Sequence, residues 1–336
     1  MSEQKVVFID SIFPDLSIER RILESAGAVL VDGQCRTLED VISVTREAVA
    51  MVTTAFKPVG EELFSACPSL KLIVRTGIGV DTIDLPAATR HGIQVCNVPE
   101  YCLQEVSDHT GALLLSLARK IPLANERMKA GQFSYYAYLK PVVRLQGRTV
   151  GFLCFGRIGR LVARKLSGFD VRMIFCDPYV SQEGVETARK ASLEETLRES
   201  DYLCIHAPET PETRHLLNER TLSLMKPTAF VVNTARGGII DTEALVEMLR
   251  SGRLAGAGLD VLENETAITA DHPLCRMENV ILTPHAAWYS ENSIVDLRLK
   301  VAQEVARFIR DEPLASLVNP EVLAAPQTQP KGKPVL

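Results

Sequence analysis

Short apolar runs alternate with amphipathic segments of helical length along almost the whole chain, a pattern that predicts a parallel α/β architecture. The first series of runs reads as strands over Lys5–Ile9, Ala28–Val31, Val49–Thr53, Lys71–Val74 and Ile93–Cys96. Leu16–Ala26 and Val59–Ala66 fit helices between them, so a doubly wound unit is expected to end near residue 100. Leu103–Lys120 then reads as a long helix, with Leu113, Leu114, Leu117 and Ile121 on its apolar side. A second series comes at Thr149–Cys154, Val171–Cys176, Tyr202–Ile205, Ala229–Val232, Ala255–Gly258 and Val280–Leu282. Six parallel strands is the count of a dinucleotide-binding sheet. A last helix over Glu291–Arg310 comes after that sheet and is placed to return to the first unit, which would make that unit discontinuous. Beyond it Pro320, Pro326, Pro330 and Pro334 predict a disordered tail over 321–336.

Composition narrows the function without changing this picture. A chain of 336 residues is long enough for two domains, each with its own core. The net charge of −5, with no Lys/Arg cluster, speaks against nucleic acid as a partner. The N-terminus enters the run Val6-Val7-Phe8-Ile9 at once and lacks the parts of a signal peptide. No stretch approaches the ~18 uninterrupted apolar residues of a membrane span. A soluble, cytoplasmic protein without a membrane partner is therefore expected. The eight cysteines are scattered and form no CxxC pair; several fall in predicted strands, where Cys behaves as a small hydrophobe. They read as reduced core thiols, and no metal site is expected.

The segment Val150 to Gly159 leaves a predicted strand and enters a predicted helix, Arg160–Ser167. It approximates GxGxxG with Cys154 at the first glycine, a residue less free to enter left-handed backbone space. Gly156 would let the backbone approach a pyrophosphate, and Gly159 would allow close helix–strand packing. The helix start offers amides and a partial positive charge to phosphates, and Arg157 adds a charge. Asp177, the first polar residue after the next strand, can accept hydrogen bonds from both ribose hydroxyls and would repel the extra phosphate of NADP, which favours NAD. The competing reading is a glycine turn that packs a helix, with Asp177 merely opening the loop Asp177-Pro178-Tyr179.

Three later strand ends carry the groups that hydride transfer to a carbonyl needs. Asn233-Thr234-Ala235-Arg236-Gly237-Gly238 places an arginine where open α/β sheets bind ligands, and its guanidinium can grip a carboxylate through two parallel hydrogen bonds. Gly258 to Glu265 brings acids, and Thr283-Pro284-His285 brings a histidine. As hydride reaches C2 of a 2-oxo acid, negative charge builds on the carbonyl oxygen. A protonated histidine beside a carboxylate supplies the proton, and the arginine fixes the substrate and polarises the carbonyl. Of the remaining histidines, His91, His109, His215 and His272 have no comparable setting, whereas His206 ends a strand. Singly, each residue also fits a bland loop role; jointly, Arg, Glu and His at three strand ends favour an enzyme.

With these residues in place, the chain resembles the D-isomer-specific 2-hydroxyacid dehydrogenase family over nearly its whole length. The agreeing stretches are Arg75 to Asp81, Asn97 to Pro99, Gly151 to Gly159, His206 to Thr213, Asn233 to Gly237, Gly258 to Glu265 and Thr283 to His285. Pro284 to Ser290 and Asn97 to Pro99 read most like the C-terminal binding protein branch. The resemblance implies a Rossmann NAD-binding domain, 101–290, inserted into a flavodoxin-like substrate domain, 1–100 with 291–320. It implies that Arg236 binds the substrate carboxylate, that His285 is the acid/base paired with Glu265, and that Asp260 lies beside the nicotinamide. Gly156, Arg157, Ile158, Gly159, Asp177, His206, Ala207, Pro208, Thr213, Thr234 and Ala235, together with Arg236, Asp260 and His285, would contact NAD. Arg75, Gly77, Ile78 and Gly79 would hold the substrate from the other domain, with cleft closure on binding. A homodimer through the nucleotide domain is implied, and the Leu103–Lys120 helix would suit that role. Two departures stand out, Cys154 in the fingerprint and Thr266 where many relatives carry proline. Trp288 is expected either to wall the pocket, favouring a 2-oxo acid with an uncharged side chain over a phosphorylated one, or to pack beneath its loop. The reading from another class is an NAD(H)-sensing scaffold with little turnover, as some relatives in that branch act as co-repressors.

Overall fold

A computed structural model describes residues 4–54 and 59–324. They divide into two compact units, one drawn from Met1–Tyr101 with Ser290–Leu336 and the other Cys102–Tyr289. In the first, β1 (Gln4–Phe8), β2 (Ala28–Asp32), β3 (Ala50–Thr53), β4 (Leu72–Arg75) and β5 (Gln94–Cys96) form a parallel sheet in the order β2-β1-β3-β4-β5, the flavodoxin order. These strands read as apolar runs because helices cover both faces: Val6, Val7, Met51, Leu72, Ile73 and Val74 are fully buried. The helices are α1 (Ser17–Ser25), α2 (Leu38–Thr45), α3 (Glu61–Ala66) and α4 (Leu85–Arg90). The pattern of apolar positions does not single out α2 or α4, yet both carry start signals, a Thr37/Asp40 capping box and an Asp84 cap before Pro86.

The C-terminal helix, Glu291–Ile309, belongs to this first unit. Its Arg298 is buried and grips Glu19 of α1 through two hydrogen bonds, 2.7 and 2.8 Å. Beyond the helix, Asn319 is fully buried, accepts from the Val95 amide and donates to Thr89 Oγ1 and the Ile93 carbonyl. Pro320–Leu323 then make a 3₁₀ turn that buries Val322, so disorder does not begin at residue 321 as expected. An apolar side chain with a place to pack outweighs the proline signal there. Residues 325–336 of the expected tail lie outside the described residues.

In the second unit β6 (Thr149–Leu153), β7 (Arg172–Cys176), β8 (Arg189–Lys190), β9 (Tyr202–Ile205), β10 (Phe230–Asn233), β11 (Gly256–Leu259) and β12 (Val280–Leu282) are all parallel, in the order β12-β11-β10-β9-β6-β7-β8. That is a Rossmann sheet with one strand more than expected; β8 is two charged residues and leaves no apolar run to detect. Its helices are α5 (Leu103–Arg119), α6 (Ile121–Lys129), α7 (Tyr135–Tyr138), α8 (Arg157–Leu166), α9 (Leu193–Glu199), α10 (Glu219–Leu222) and α11 (Thr242–Arg250). α5 packs Leu113, Leu114 and Leu117 into the core with Val150, Phe152 and Val232, so its apolar side is used inside the unit. Lys120, at φ 50°, ends that helix, and Ile121, expected on its apolar side, opens α6 with 56% of its surface exposed. The exposed apolar side chains instead gather over 121–143, at Ile121, Met128, Phe133, Tyr135, Tyr136 and Val143.

Candidate active site

Chain order reverses between β6 and β9, and at such a switch point the loops at the carboxyl ends of the strands form the ligand crevice of an open sheet. Cys154 leaves β6 at φ 66°, in the left-handed region, with its amide donating to the Cys176 carbonyl at 2.9 Å. The first fingerprint position thus keeps the backbone conformation of a glycine although cysteine fills it. Burial, and after it the Asp177 carboxylate, pushes its thiol up to about 11, so it stays protonated and unreactive. Left-handed backbone is harder still on a β-branched residue. Cys154→Val is expected to cost about 1–3 kcal/mol relative to Cys154→Gly, read from urea midpoints, and equal midpoints would remove the left-handed requirement.

The helix after the glycine turn starts earlier than the sequence pattern suggests. α8 begins at Arg157, not Arg160, with Gly156 as its cap, so Arg157, Ile158 and Gly159 form the first turn. A Cβ on Gly156 would meet nothing within 4 Å, whereas one on Gly159 would sit 2.9 Å from the Cys154 carbonyl oxygen. Gly159 therefore serves packing, and Gly156 serves no packing need of the protein's own. Asp177 is buried; Oδ2 accepts from the Phe155 amide and Oδ1 from the Tyr179 amide, both at 2.8 Å. It ties the glycine loop to the end of β7, and each oxygen keeps a lone pair for a further donor.

Beyond β9, the His206 ring stacks on Phe152 at 6.2 Å, and its buried Nε2 has no hydrogen-bond partner among the described residues. Burial pushes it down to about 4, so the imidazole is neutral at physiological pH. Ala207 is buried and Pro208 exposed; Thr213 donates to the Pro208 carbonyl at 2.7 Å and accepts from the Thr210 amide at 2.8 Å, folding the loop on itself. After β10, buried Asn233 clamps the next turn: Nδ2 donates to the Arg236 carbonyl at 2.9 Å, and Oδ1 accepts from the Ala235 amide at 3.0 Å. Thr234 Oγ1 lies 2.8 Å from Thr110 Oγ1 on α5, and Arg236 Nη1 donates to the Ala235 carbonyl at 2.7 Å.

The histidine and the two acids come together. His285 Nδ1 lies 2.9 Å from Glu265 Oε2, both side chains part-exposed, and the Leu262 amide donates to Glu265 Oε1 at 3.4 Å. With Nδ1 held, Nε2 is the ring nitrogen left to exchange a proton with a substrate. The loop that carries Glu265 and Thr266 turns at Asn264, at φ 52°, and the Ala267 amide closes it onto the Asn264 carbonyl at 2.8 Å. His285 itself sits at φ 51° with its amide donating to the Asp260 carbonyl. The Asp260 carboxylate accepts from Thr283 Oγ1 at 2.5 Å, the Ala286 amide at 2.9 Å and the Ala287 amide at 2.8 Å, so this acid builds the turn that carries His285. Next along, burial raises the Glu263 carboxyl, but the hydrogen bond and charge of His215, with donors on Thr242, outweigh it and leave the group below the usual range. Trp288 is half-buried and meets Tyr289 edge to face, with centroids 5.8 Å apart.

Arg75, Gly77, Ile78 and Gly79 lie at the carboxyl end of β4, in the other unit. Arg75 Nη1 donates to the Thr76 carbonyl at 2.8 Å, and Gly77, at φ 148°, leaves room for that guanidinium where a Cβ would sit 1.3 Å from Nη1. Asn97 Nδ2 donates to the Ile78 carbonyl at 2.7 Å. All eight cysteines are free, but Cys275 is exposed rather than a core thiol. Among the described residues no group of three or more His, Cys, Asp or Glu could hold a metal ion, and no helix is long and apolar enough to cross a membrane.

Residues 111–287 match the family described as D-isomer specific 2-hydroxyacid dehydrogenase, NAD binding domain. The chain is 37% identical to a glyoxylate reductase of Korarchaeum cryptofilum over 84% of its own length and 86% of the relative's. It is 34% identical to a D-3-phosphoglycerate dehydrogenase of Methanocaldococcus jannaschii over 94% of its own length and 59% of that chain. The crystal structure of a D-lactate dehydrogenase from Aquifex aeolicus, complexed with NAD and lactic acid, superposes with a TM-score of 0.86 at 30% identity, covering 94% and 99% of the two chains. The chain belongs to the D-isomer-specific 2-hydroxyacid dehydrogenase family. It is an NAD-dependent oxidoreductase, with a Rossmann domain and a second parallel-sheet domain. The narrower likeness to the C-terminal binding protein branch receives no support from these names. The edge of the second sheet fits a dinucleotide: a helix start capped by an unencumbered glycine, a buried carboxylate one strand away, and a buried imidazole nitrogen without a partner among the described residues.

Proposed function

We propose that the chain interconverts a 2-oxo acid and its D-2-hydroxy acid, with His285 as general acid/base, Glu265 as its partner and Arg236 as the carboxylate clamp. The observation that carries the reading is the 2.9 Å pair of Glu265 and His285, at the same sheet edge as Arg236. When bound, the reduced nicotinamide would supply the hydride to C2 of the 2-oxo acid, and the oxidised form would accept it back from the 2-hydroxy acid. In reduction, the carbonyl π pair moves to oxygen as hydride adds to C2, and that oxygen takes the proton from His285 Nε2. Glu265 accepts at Nδ1 and fixes the ring's orientation, while Arg236 holds the substrate carboxylate through paired hydrogen bonds.

Gly156, Arg157, Ile158 and Gly159 would receive the pyrophosphate. Asp177, through its spare lone pairs, would take the ribose hydroxyls and by its charge favour NAD over NADP. His206, Ala207, Pro208, Thr213, Thr234, Ala235 and Asp260 would line the rest of the dinucleotide. Arg75, Gly77, Ile78, Gly79 and Trp288 would contact the substrate, and a flat indole suits a small uncharged side chain. The names glyoxylate reductase and D-lactate dehydrogenase among the relatives support that preference. In a homodimer, the exposed apolar residues of 121–143 are the better contact than α5, whose apolar side is already buried.

The test is loss of NADH absorbance with pyruvate, glyoxylate, phenylpyruvate, hydroxypyruvate, 4-methylthio-2-oxobutyrate and 3-phosphohydroxypyruvate. Saturable turnover on an acid with an uncharged side chain, faster than on the phosphorylated one, is expected. NADH binding without turnover on any of them would overturn the proposal in favour of a cofactor-sensing scaffold.

A further inference from the structure

His109 lies on α5, away from the strand ends that carry the proposed chemistry, yet it contacts the turn that bears His285. Its Nε2 is 2.9 Å from Thr283 Oγ1 and 3.5 Å from Asp260 Oδ1, with a quarter of its side chain exposed and Asp260 at 1%. The direction of these bonds comes from counting protons. A threonine hydroxyl has one proton, and a carboxylate acceptor at 2.5 Å claims it, so Thr283 donates to Asp260. Thr283 can then only accept from the imidazole, which must carry its proton on Nε2. The result is a directed chain, His109 Nε2–H to Thr283 to Asp260, whose carboxylate in turn holds the Ala286 and Ala287 amides.

Those two amides immediately succeed His285, which is held at φ 51°, a conformation that non-glycine residues keep only when their surroundings impose it. The next residue on the helix, Thr110, donates to the Val106 carbonyl and so accepts from Thr234, two residues before Arg236. Successive residues of one rigid helix thus reach the strand end of the arginine and the strand end of the histidine. Thr110 makes an ordinary hydroxyl contact. His109 alone orders a buried carboxylate through a relay.

We propose that His109 is a positioning residue for His285, fixing the acid/base turn through Thr283 and Asp260. The proposal rests on the function proposed above for His285, and its test is built so that the two fail separately. The variants are His109→Leu, which removes the donor, His109→Gln, whose side-chain amide N–H falls near the place of Nε2, Thr283→Val, and the His109→Leu/Thr283→Val double variant. Each is assayed by steady-state kinetics with NADH and the best 2-oxo acid, and by amide hydrogen exchange at Ala286 and Ala287 without substrate.

Displacement of a catalytic group by a fraction of an ångström to 1 Å is worth roughly 10- to 100-fold in rate. His109→Leu is therefore expected to lower kcat by about that factor with little change in KM for NADH. Exchange at Ala286 and Ala287 should quicken while β9 amides stay as they were. His109→Gln should recover most of both losses, and the double variant should be no worse than Thr283→Val alone. Unchanged exchange at Ala286 and Ala287 in His109→Leu overturns the proposal whatever the rates do. So does a fall in kcat that His109→Gln does not repair. If the wild-type protein turns over none of the acids, the functional reading fails, while the exchange experiment still decides whether His109 holds the turn.

Discussion

His285→Ala is expected to lower kcat for 2-oxo acid reduction by about 10²–10⁴-fold while the protein still binds NADH. The size reflects the group that is removed. Hydride arriving at C2 leaves an alkoxide unless a proton arrives with it, and the ring nitrogen of His285 not held by Glu265 is the group placed to deliver one. The turn itself does not depend on the imidazole. It is held by the Asp260 carboxylate on the Ala286 and Ala287 amides and by the His285 amide on the Asp260 carbonyl, all of which survive truncation. Stability should thus change little, because these bonds, and not the imidazole, hold the residue at its φ of 51°. Glu265→Gln keeps a hydrogen-bonding group opposite Nδ1 but loses the charge that steadies an imidazolium, so its loss should be smaller than that of His285→Ala. Single-turnover rates at saturating NADH check both. A His285→Ala enzyme with kcat within tenfold of wild type would mean that another group supplies the proton, and the role would pass from this residue.

How much of this is legible in the sequence depends on the kind of signal each feature leaves there. Strands buried on both faces leave apolar runs, so eleven of the twelve described strands are readable; β8, a pair of charged residues, is not. Arg236, Glu265 and His285 are readable because residues placed just after an apolar run in a parallel sheet must emerge at its carboxyl edge. Partners distant in sequence are invisible: nothing near Glu19 announces Arg298, and nothing near Thr283 announces His109. A single histidine on an amphipathic helix looks like any polar position of that helix. The apolar side of α5 is a related case, since periodicity shows that a face is apolar without showing that Val150, Phe152 and Val232 cover it. Asp177 joins the two readings open to it, for it shapes its loop and keeps acceptor capacity for a ligand. Thr37 with Asp40, and Asp84 with Pro86, are usable start signals for α2 and α4.

Gly237→Ala should be nearly as damaging to catalysis as the loss of the histidine, although glycine does no chemistry. A Cβ on Gly237 would lie 2.0 Å from the Leu262 carbonyl carbon, 2.1 Å from its oxygen and 2.5 Å from the Glu263 amide nitrogen. All three are backbone atoms, so no side chain can swing aside; one of the two loops must move. Either movement is costly. On one side Gly237 comes directly after Arg236, whose carbonyl Asn233 clamps at 2.9 Å. On the other, the displaced backbone runs through Asn264 into Glu265, and the Leu262 amide is itself a donor to the Glu265 carboxylate. A methyl group here therefore separates the proposed carboxylate clamp, Arg236, from the proposed partner of the acid/base, Glu265. Overpacking of this kind typically costs about 1–3 kcal/mol of stability. A shift of about 1 Å in the reacting geometry is worth on the order of 10²-fold in rate. The expected result is a folded enzyme with a lowered denaturation midpoint and kcat/KM reduced by about 10²-fold, with NADH affinity affected far less than substrate affinity. Gly156→Ala is the contrast, since its Cβ would meet no protein atom within 4 Å. Its stability should hold, and any loss should fall on NADH affinity instead. Should Gly237→Ala keep wild-type kcat/KM, the two loops would be free to separate without consequence, and the arginine and the glutamate would not be acting as one site.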